Sequence, residues 1–326
     1  MKNWKKGIQV LVLSLVIGVL NIWSLQAYGA SAYGPGMSMT GAQEGKATGT
    51  IPMDGSYLGG AKLTLLANQS DSQMLSAILE TKNGSLIVID GGTEADAPYL
   101  LQKIKEKGGH VSAWLITHPH SDHVGAITRL LNEGADITID GVYYNLTSIE
   151  WYQTYESYRA DVVAQFAGAL GKLPAEKLHG HVGSGEQITV DDVTITVLNS
   201  PYLIETNSIN NSSVAYSLAV NGKHIVFLGD MGEEAGQRLL QEYQGRTIEC
   251  DIVQMAHHGQ FGVNQEVYRA LSPEICLWPT PNWLWNNDNG GGYNSGPWTT
   301  LTTRSWMDQI GVKANYVIKD GDQVIQ

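Results

Sequence analysis

The segment Thr117-His118-Pro119-His120-Ser121-Asp122-His123 limits what this chain can fold into more than any other stretch. It places four imidazole or carboxylate side chains within six residues, directly after the apolar run 111–117. A short run of that kind reads as a buried strand, so the cluster sits on a loop leaving a sheet. Alternate residues of such a loop face one pocket. His118 and His120 can then share one metal ion while Asp122 and His123 turn toward a second. Imidazole nitrogen and carboxylate oxygen suit zinc, manganese or iron. A loop that merely capped the next helix would need one Ser or Asp and no histidines.

The rest of the chain supplies a frame for that loop. Strands are expected at 62–67, 75–80 and 85–89, with Asn83-Gly84 as a hairpin turn and Asp90-Gly91-Gly92 at the end of the third. Helical spacing covers 95–107, stopped by Gly108-Gly109. Further helices are expected at 124–132, 155–170 and 233–243. Further strands fall at 111–117, 136–144, 193–198, 213–220, 224–228 and 250–255. Strands and helices alternate in two successive halves without an internal repeat. This predicts a mixed α/β (α+β) fold, an αββα sandwich with two sheets face to face and helices outside, spanning residues 61–326.

Two more positions belong with the cluster on physical grounds. Asp230 ends the apolar run 225–228, where a carboxylate is costly unless it is exposed or meets cations. Ala256-His257-His258-Gly259 follows another apolar run. The order HxHxDH, then Leu228-Gly229-Asp230, then His-His-Gly, with Asp90-Gly91-Gly92 ahead of them, resembles the metallo-β-lactamase superfamily over nearly all of 61–326. That resemblance implies a site for two divalent ions, zinc first and manganese or iron as alternatives. It implies the ligands His118, His120, Asp122, His123, Asp230 and, directly after a small residue, His257. His258 would then orient a ligand or contact substrate, with the roles of the two histidines exchangeable.

The chain departs from the family in one place. Many members supply a histidine between the metal loop and the bridging aspartate. Residues 205–213 contain none, and His179 and His181 lie earlier and read as surface residues. The first metal is therefore expected to have fewer protein ligands and an open position. This speaks against a β-lactamase. The Asn210-Asn211-Ser212-Ser213 stretch, the Gly229-Asp230-Met231 step and the His-His-Gly motif are instead similar to a subgroup. Its members include the hydrolase domain of DNA-uptake competence channels and the teichoic acid phosphorylcholine esterases. The competence-type Gly-Gln-Gly-Asp motif is not intact; Asn68-Gln69-Ser70-Asp71-Ser72 stands in its place.

The resemblance implies a metal-dependent hydrolase. Asp122 or Asp230 is the expected proton acceptor, and His258, Asn211 or a tyrosine the expected donor to developing negative charge. Trp283, Trp285 and Trp298 flank the Gly/Asn-rich loop 286–296 and are candidate substrate-binding residues, because aromatic faces suit quaternary ammonium groups or sugars. A phosphodiesterase or phosphoesterase acting on a cell-envelope or extracellular substrate, such as a phosphorylcholine-bearing polymer, is the leading expectation. A lactone or amide hydrolase, an extracellular nuclease and an envelope-binding protein with a vestigial metal site are the alternatives. The formal charge of −12, without a basic cluster, disfavours nucleic acid.

Location is expected from the first 32 residues. Lys2, Lys5 and Lys6 precede the apolar run 8–20 and the small-residue stretch 27–32, as in a secretory signal peptide. Apolar residues resume at Ile22, Trp23 and Leu25, so an uncleaved membrane anchor stays open. Both place the hydrolase outside the cytoplasm. Residues 33–60, rich in Gly, Ser, Met and Thr, read as a flexible linker. Cys250 and Cys276 lie in apolar runs and read as buried free thiols by default, a disulfide between them staying open in an exported protein.

Overall fold

A computed structural model describes residues 56–326; the expected signal or anchor and most of the linker lie outside the described residues. The turn at 56–60, ahead of Ala61, packs Leu58 into the core.

Two seven-stranded sheets form the centre. The first runs Gln323–Ile325, Lys62–Leu65, Ser76–Glu80, Leu86–Asp90, Ala113–Leu115, Val142–Tyr144, Leu178–Gly180. The second runs Ala314–Val317, Ile275–Trp278, Ile252–Gln254, Lys223–Phe227, Tyr216–Val220, Val193–Val197, Gln187–Val190. Leu63, Leu79, Ile87 and Leu115 of the first meet Ile195, Leu218, Phe227 and Ile275 of the second in one apolar layer. Truncating such a side chain to alanine costs about 2–5 kcal/mol. Leu86–Asp90 is buried along its whole length, which is why Leu-Ile-Val-Ile runs without polar alternation.

Helices close both outer faces. Leu100, Ile127, Leu130 and Phe166 cover the first sheet, and Leu239, Val267 and Met307 cover the second. The αββα expectation is met, and after the last predicted strand three more strands, Ile275–Trp278, Ala314–Val317 and Gln323–Ile325, and the helices Gln265–Leu271, Asn282–Trp285 and Thr300–Ile310 are added.

The direction of the strands places the site. Pairing turns from antiparallel to parallel between Leu86–Asp90 and Ala113–Leu115, and again between Lys223–Phe227 and Ile252–Gln254. Parallel neighbours deliver their carboxyl ends to one edge, where a crevice forms. Asp90, the histidine loop, Asp230 and the His257-His258 turn all follow such ends.

The helix expected at 155–170 starts only at Ala160, and a separate helix, Ile149–Tyr155, ends ahead of Glu156, whose φ of −149° and ψ of 54° leave the helical region. The break turns the Glu156 carboxylate inward, with consequences described next.

Candidate metal centre

Asp90 holds the histidine loop to the sheet. Its Oδ1 accepts from the Thr117 backbone N–H at 2.8 Å and its Oδ2 from the Thr117 hydroxyl at 2.7 Å. The same Oδ2 lies 2.7 Å from His123 Nδ1, which fixes that proton on Nδ1 and leaves Nε2 free to bind a cation. Asp90 sits at a φ of 51°, a strained conformation for a side chain of this kind. The two strand ends approach closely at Gly229, where a Cβ would stand 2.7 Å from the Thr117 Cβ at a φ of 59°. Only glycine fits there.

Helix Ser121–Glu133 starts three residues before the expected 124, with His120 as its N-cap. Asp122 and His123 therefore occupy its first turn, where the helix dipole favours a carboxylate.

The donors form two groups that share Asp230. Asp122, His123, Asp230 and His258 make one, and His118, His120 and Asp230 the other, each with its ligand atoms within 4.8 Å of one another. Asp230 Oδ1 lies 3.2 Å from His123 Nε2, and its Oδ2 lies 3.2 Å from His258 Nε2 and 3.8 Å from His118 Nε2. His258 Nε2 is also 3.2 Å from Asp122 Oδ2. His118 Nε2 faces His120 Nδ1 at 3.2 Å.

These atoms fit a cation better than they fit each other. His123 Nε2, His258 Nε2 and Asp230 Oδ1 are buried and make no hydrogen bond of proper geometry. Buried groups of this polarity are costly unless paired or coordinated. Burial opposes charge on Asp230, yet His123 and His258 hold its pKa well below the carboxylate range. Burial likewise opposes charge on Asp122, outweighed by the imidazole of His258 at 3.2 Å and by His123. Burial and the neighbouring His123 push His118 well down, so its imidazole is neutral. For His123 the pull of burial is overcome by Asp230 and Asp90, which push it well up. His258 is pushed up to about 9, with burial again overcome by Asp230 and Asp122. Ionised carboxylates facing imidazole nitrogens describe a site arranged for divalent ions.

Comparison with known proteins agrees with this geometry. The family model of the metallo-beta-lactamase superfamily matches residues 73–275, more than half of the chain. The chain belongs to the metallo-beta-lactamase superfamily. Its His and Asp groups make a candidate metal site. Among curated relatives, it is 26% identical over 126 residues to an uncharacterized protein of Aquifex aeolicus (strain VF5), covering 39% of this chain and 53% of that one. It is 36% identical over 64 residues to a hydroxyacylglutathione hydrolase of Buchnera aphidicola subsp. Schizaphis graminum (strain Sg), covering 20% of this chain and 24% of that one. The chain thus spans about half and about a quarter of these relatives. The metallo-beta-lactamase fold protein YhfI from Bacillus subtilis superposes with a TM-score of 0.50 at 12% identity, over 81% of this chain and 99% of that one. At that identity the likeness is one of fold.

Within this superfamily frame the structure rearranges several sequence-derived roles. His258, expected as an orienting or donating residue, stands in the four-donor group. Its Nδ1 is 3.0 Å from the Pro279 carbonyl, which turns Nε2 toward Asp122 and Asp230. His257, expected as the ligand, lies outside both groups with Nε2 4.0 Å from Asp230 Oδ2. The exchange follows from the backbone: His257, His258 and Gly259 take φ of 50°, 56° and 82°, so the chain curls left-handed and swings the second imidazole inward.

Asn211, expected as a donor to substrate, is committed elsewhere. Its Nδ2 donates to the Thr206 carbonyl and Glu234, and its Oδ1 accepts from Ala235 N–H. Its neighbour Asn210 donates from Nδ2 to Asn207 Oδ1 at 2.9 Å, with the same Nδ2 3.5 Å from His257 Nε2 and a buried, unpartnered Oδ1. Trp285 is a core residue, edge-on to Trp278 at 5.1 Å and covered by Arg304 at 4.0 Å. Trp283 and Trp298 do share a surface, with ring centroids 4.7 Å apart. His179, expected at the surface, is half-buried and stacks on Tyr143 at 4.3 Å; His181 is exposed. Cys250 and Cys276 are free thiols, the first half-buried and the second buried.

Glu156 is the functional residue that the sequence does not announce. Its Oε1 lies 3.0 Å from His120 Nε2, which leaves Nδ1 for a metal. Its Oε2 accepts from Ser208 Oγ and the Ile209 N–H at 3.0 and 2.9 Å. These partners outweigh burial and hold its pKa down to about 2.

Proposed function

We propose that this chain is an exported hydrolase using two divalent ions, zinc first and manganese or iron as alternatives. On this reading it cleaves phosphoesters on a cell-envelope or extracellular substrate, a phosphorylcholine-bearing polymer being the specific candidate. The observation that carries the reading is the asymmetry of the donor groups: four side chains in one, three in the other. The missing fourth donor leaves a place where a substrate oxygen can enter. His118, His120 and Asp230 would hold one ion, and Asp122, His123, Asp230 and His258 the other. When bound, such ions lower the pKa of water toward about 7 and neutralise charge developing on a phosphoryl or carbonyl oxygen.

The protein's own groups do the rest. Asp90 and Glu156 fix the imidazoles of His123 and His120. Asn210 presents its carboxamide beside His257 and is the nearer candidate, in place of Asn211, for a donor to developing negative charge. Trp283 and Trp298 offer aromatic rings whose faces suit a quaternary ammonium group. The formal charge of −12 argues against a nucleic acid substrate.

Acyl hydrolysis is the second reading, favoured by the hydroxyacylglutathione hydrolase among the relatives. One panel separates them: metal-loaded protein against bis-p-nitrophenyl phosphate, p-nitrophenyl phosphorylcholine, a chromogenic lactone and a thioester. Phosphoester turnover supports the proposal. Turnover of the acyl substrates alone replaces it with the second reading. Secretion of the full chain, with or without loss of residues 1–32, tests the location.

A further inference from the structure

Asp122 is reached from outside the donor groups by two carboxamides in series. Gln73 lies just before the strand Ser76–Glu80, and its Nε2 donates to Asp122 Oδ2 at 3.4 Å. Gln260 follows the His-His-Gly turn, and its Nε2 donates to Gln73 Oε1 at 2.9 Å across 187 residues of sequence. The direction of this series is dictated at one end. An ionised carboxylate only accepts, so Gln73 must turn its NH2 to Asp122 and has only its oxygen left for Gln260. Gln260 must then present its own NH2, which strands its Oε1 buried and without a partner. The arrangement is kept although it leaves that carbonyl unsatisfied.

The backbone carrying Gln73 is itself fastened. Trp283 Nε1 donates to the Asp71 carbonyl at 2.7 Å, and Gln69 N–H to Asp96 Oδ1 at 2.7 Å. Leu75 N–H donates to the Asp122 carbonyl at 3.1 Å, tying the same segment to the start of the metal-loop helix. Trp283 therefore has a structural task at the site, apart from any contact with substrate.

We propose that Gln73 is a positioning residue for Asp122, locked in one amide orientation by Gln260 and Trp283, and that it sets which carboxylate oxygen faces His258. The inference rests on the reading that Asp122 holds a metal in the four-donor group. Removing outer partners of metal ligands costs about 10–100-fold in metal affinity or activity.

The test uses the full chain and the variants Gln73→Ala, Gln260→Ala and Gln260→Glu. Zinc affinity is read by chelator competition, the ligand field by the cobalt(II) absorption spectrum, and folding by thermal melting. In Gln73→Ala the tighter zinc weakens about 10–100-fold and the cobalt spectrum changes, while the melting profile of metal-free protein stays put. Gln260→Glu is nearly isosteric but reverses the series: an acceptor at 260 draws the NH2 of Gln73 and turns its oxygen on Asp122. It is therefore expected to cost more affinity than Gln260→Ala, an order that packing alone would not give. Unchanged affinity and spectrum in Gln73→Ala, or Gln260→Ala the worse of the pair, overturns the positioning role and leaves the metal reading intact. Unmutated protein that binds no metal overturns both.

Discussion

The four-donor group closes around its position, whereas the three-donor group stops one side chain short. In the first, Asp90 pins His123, the Pro279 carbonyl pins His258 and Gln73 reaches Asp122, all from buried or half-buried positions. In the second, Glu156 pins His120 and the Thr117 hydroxyl lies 3.0 Å from His118 Nδ1, but only His118, His120 and Asp230 come together among the described residues. On the proposed reading one half would hold its ion and the other would leave it accessible, and sites with an open position are the ones that do chemistry. Substitutions can test whether the halves separate in this way.

Asp230 belongs to both halves, so Asp230→Ala should have the largest effect: loss of both ions by metal analysis and a fall in turnover on the order of 10⁴-fold, the scale of removing one member of a catalytic unit. A variant retaining one tightly held ion would break the idea that the groups share this carboxylate. The adjacent histidines come next. His258→Ala should remove the tighter ion and cost at least about 100-fold in turnover, more than outer partners cost. His257→Ala should leave two ions in place and cost less than about tenfold, as expected for a neutral hydrogen-bonding group. Equal losses in the two would return His257 to the ligand set.

That contrast marks where sequence reasoning stops. The His118–His123 cluster, Asp90 and Asp230 were legible because each follows a strand end and so points to the same edge without knowledge of the rest. The choice between His257 and His258 depends on three left-handed residues in succession, a backbone path that adjacent imidazoles do not encode. Asn210 and Asn211 differ by the phase of a four-residue helix, Ser208–Asn211, too short to show a periodicity. Glu156 was hidden for a related reason. It lies in a stretch with helical spacing, and the helix breaks there because its carboxylate finds His120, Ser208 and Ile209 N–H far along the chain. The alternation of strands and helices in two halves fixed the sandwich, since each apolar face can be buried only against another layer.

Smaller effects sharpen the comparison. Glu156→Gln keeps the size and removes the charge, so it should lower the affinity of the weaker ion by about 10–100-fold and leave the tighter one unchanged. Site-resolved metal titration reads both values in one experiment. Asn210→Ala should raise KM by less than about tenfold, with two ions still bound, if its carboxamide serves substrate and not metal. Loss of an ion in that variant would make Asn210 a ligand and the shorter group less open than described.

The most direct test of the two-halves account is calorimetric titration of zinc into the metal-free chain, alongside His258→Ala and Glu156→Gln. The account predicts two ions per chain with separable affinities, the tighter one lost in His258→Ala and the weaker one weakened in Glu156→Gln. A single ion per chain, or two whose affinities fall together in either variant, would contradict it.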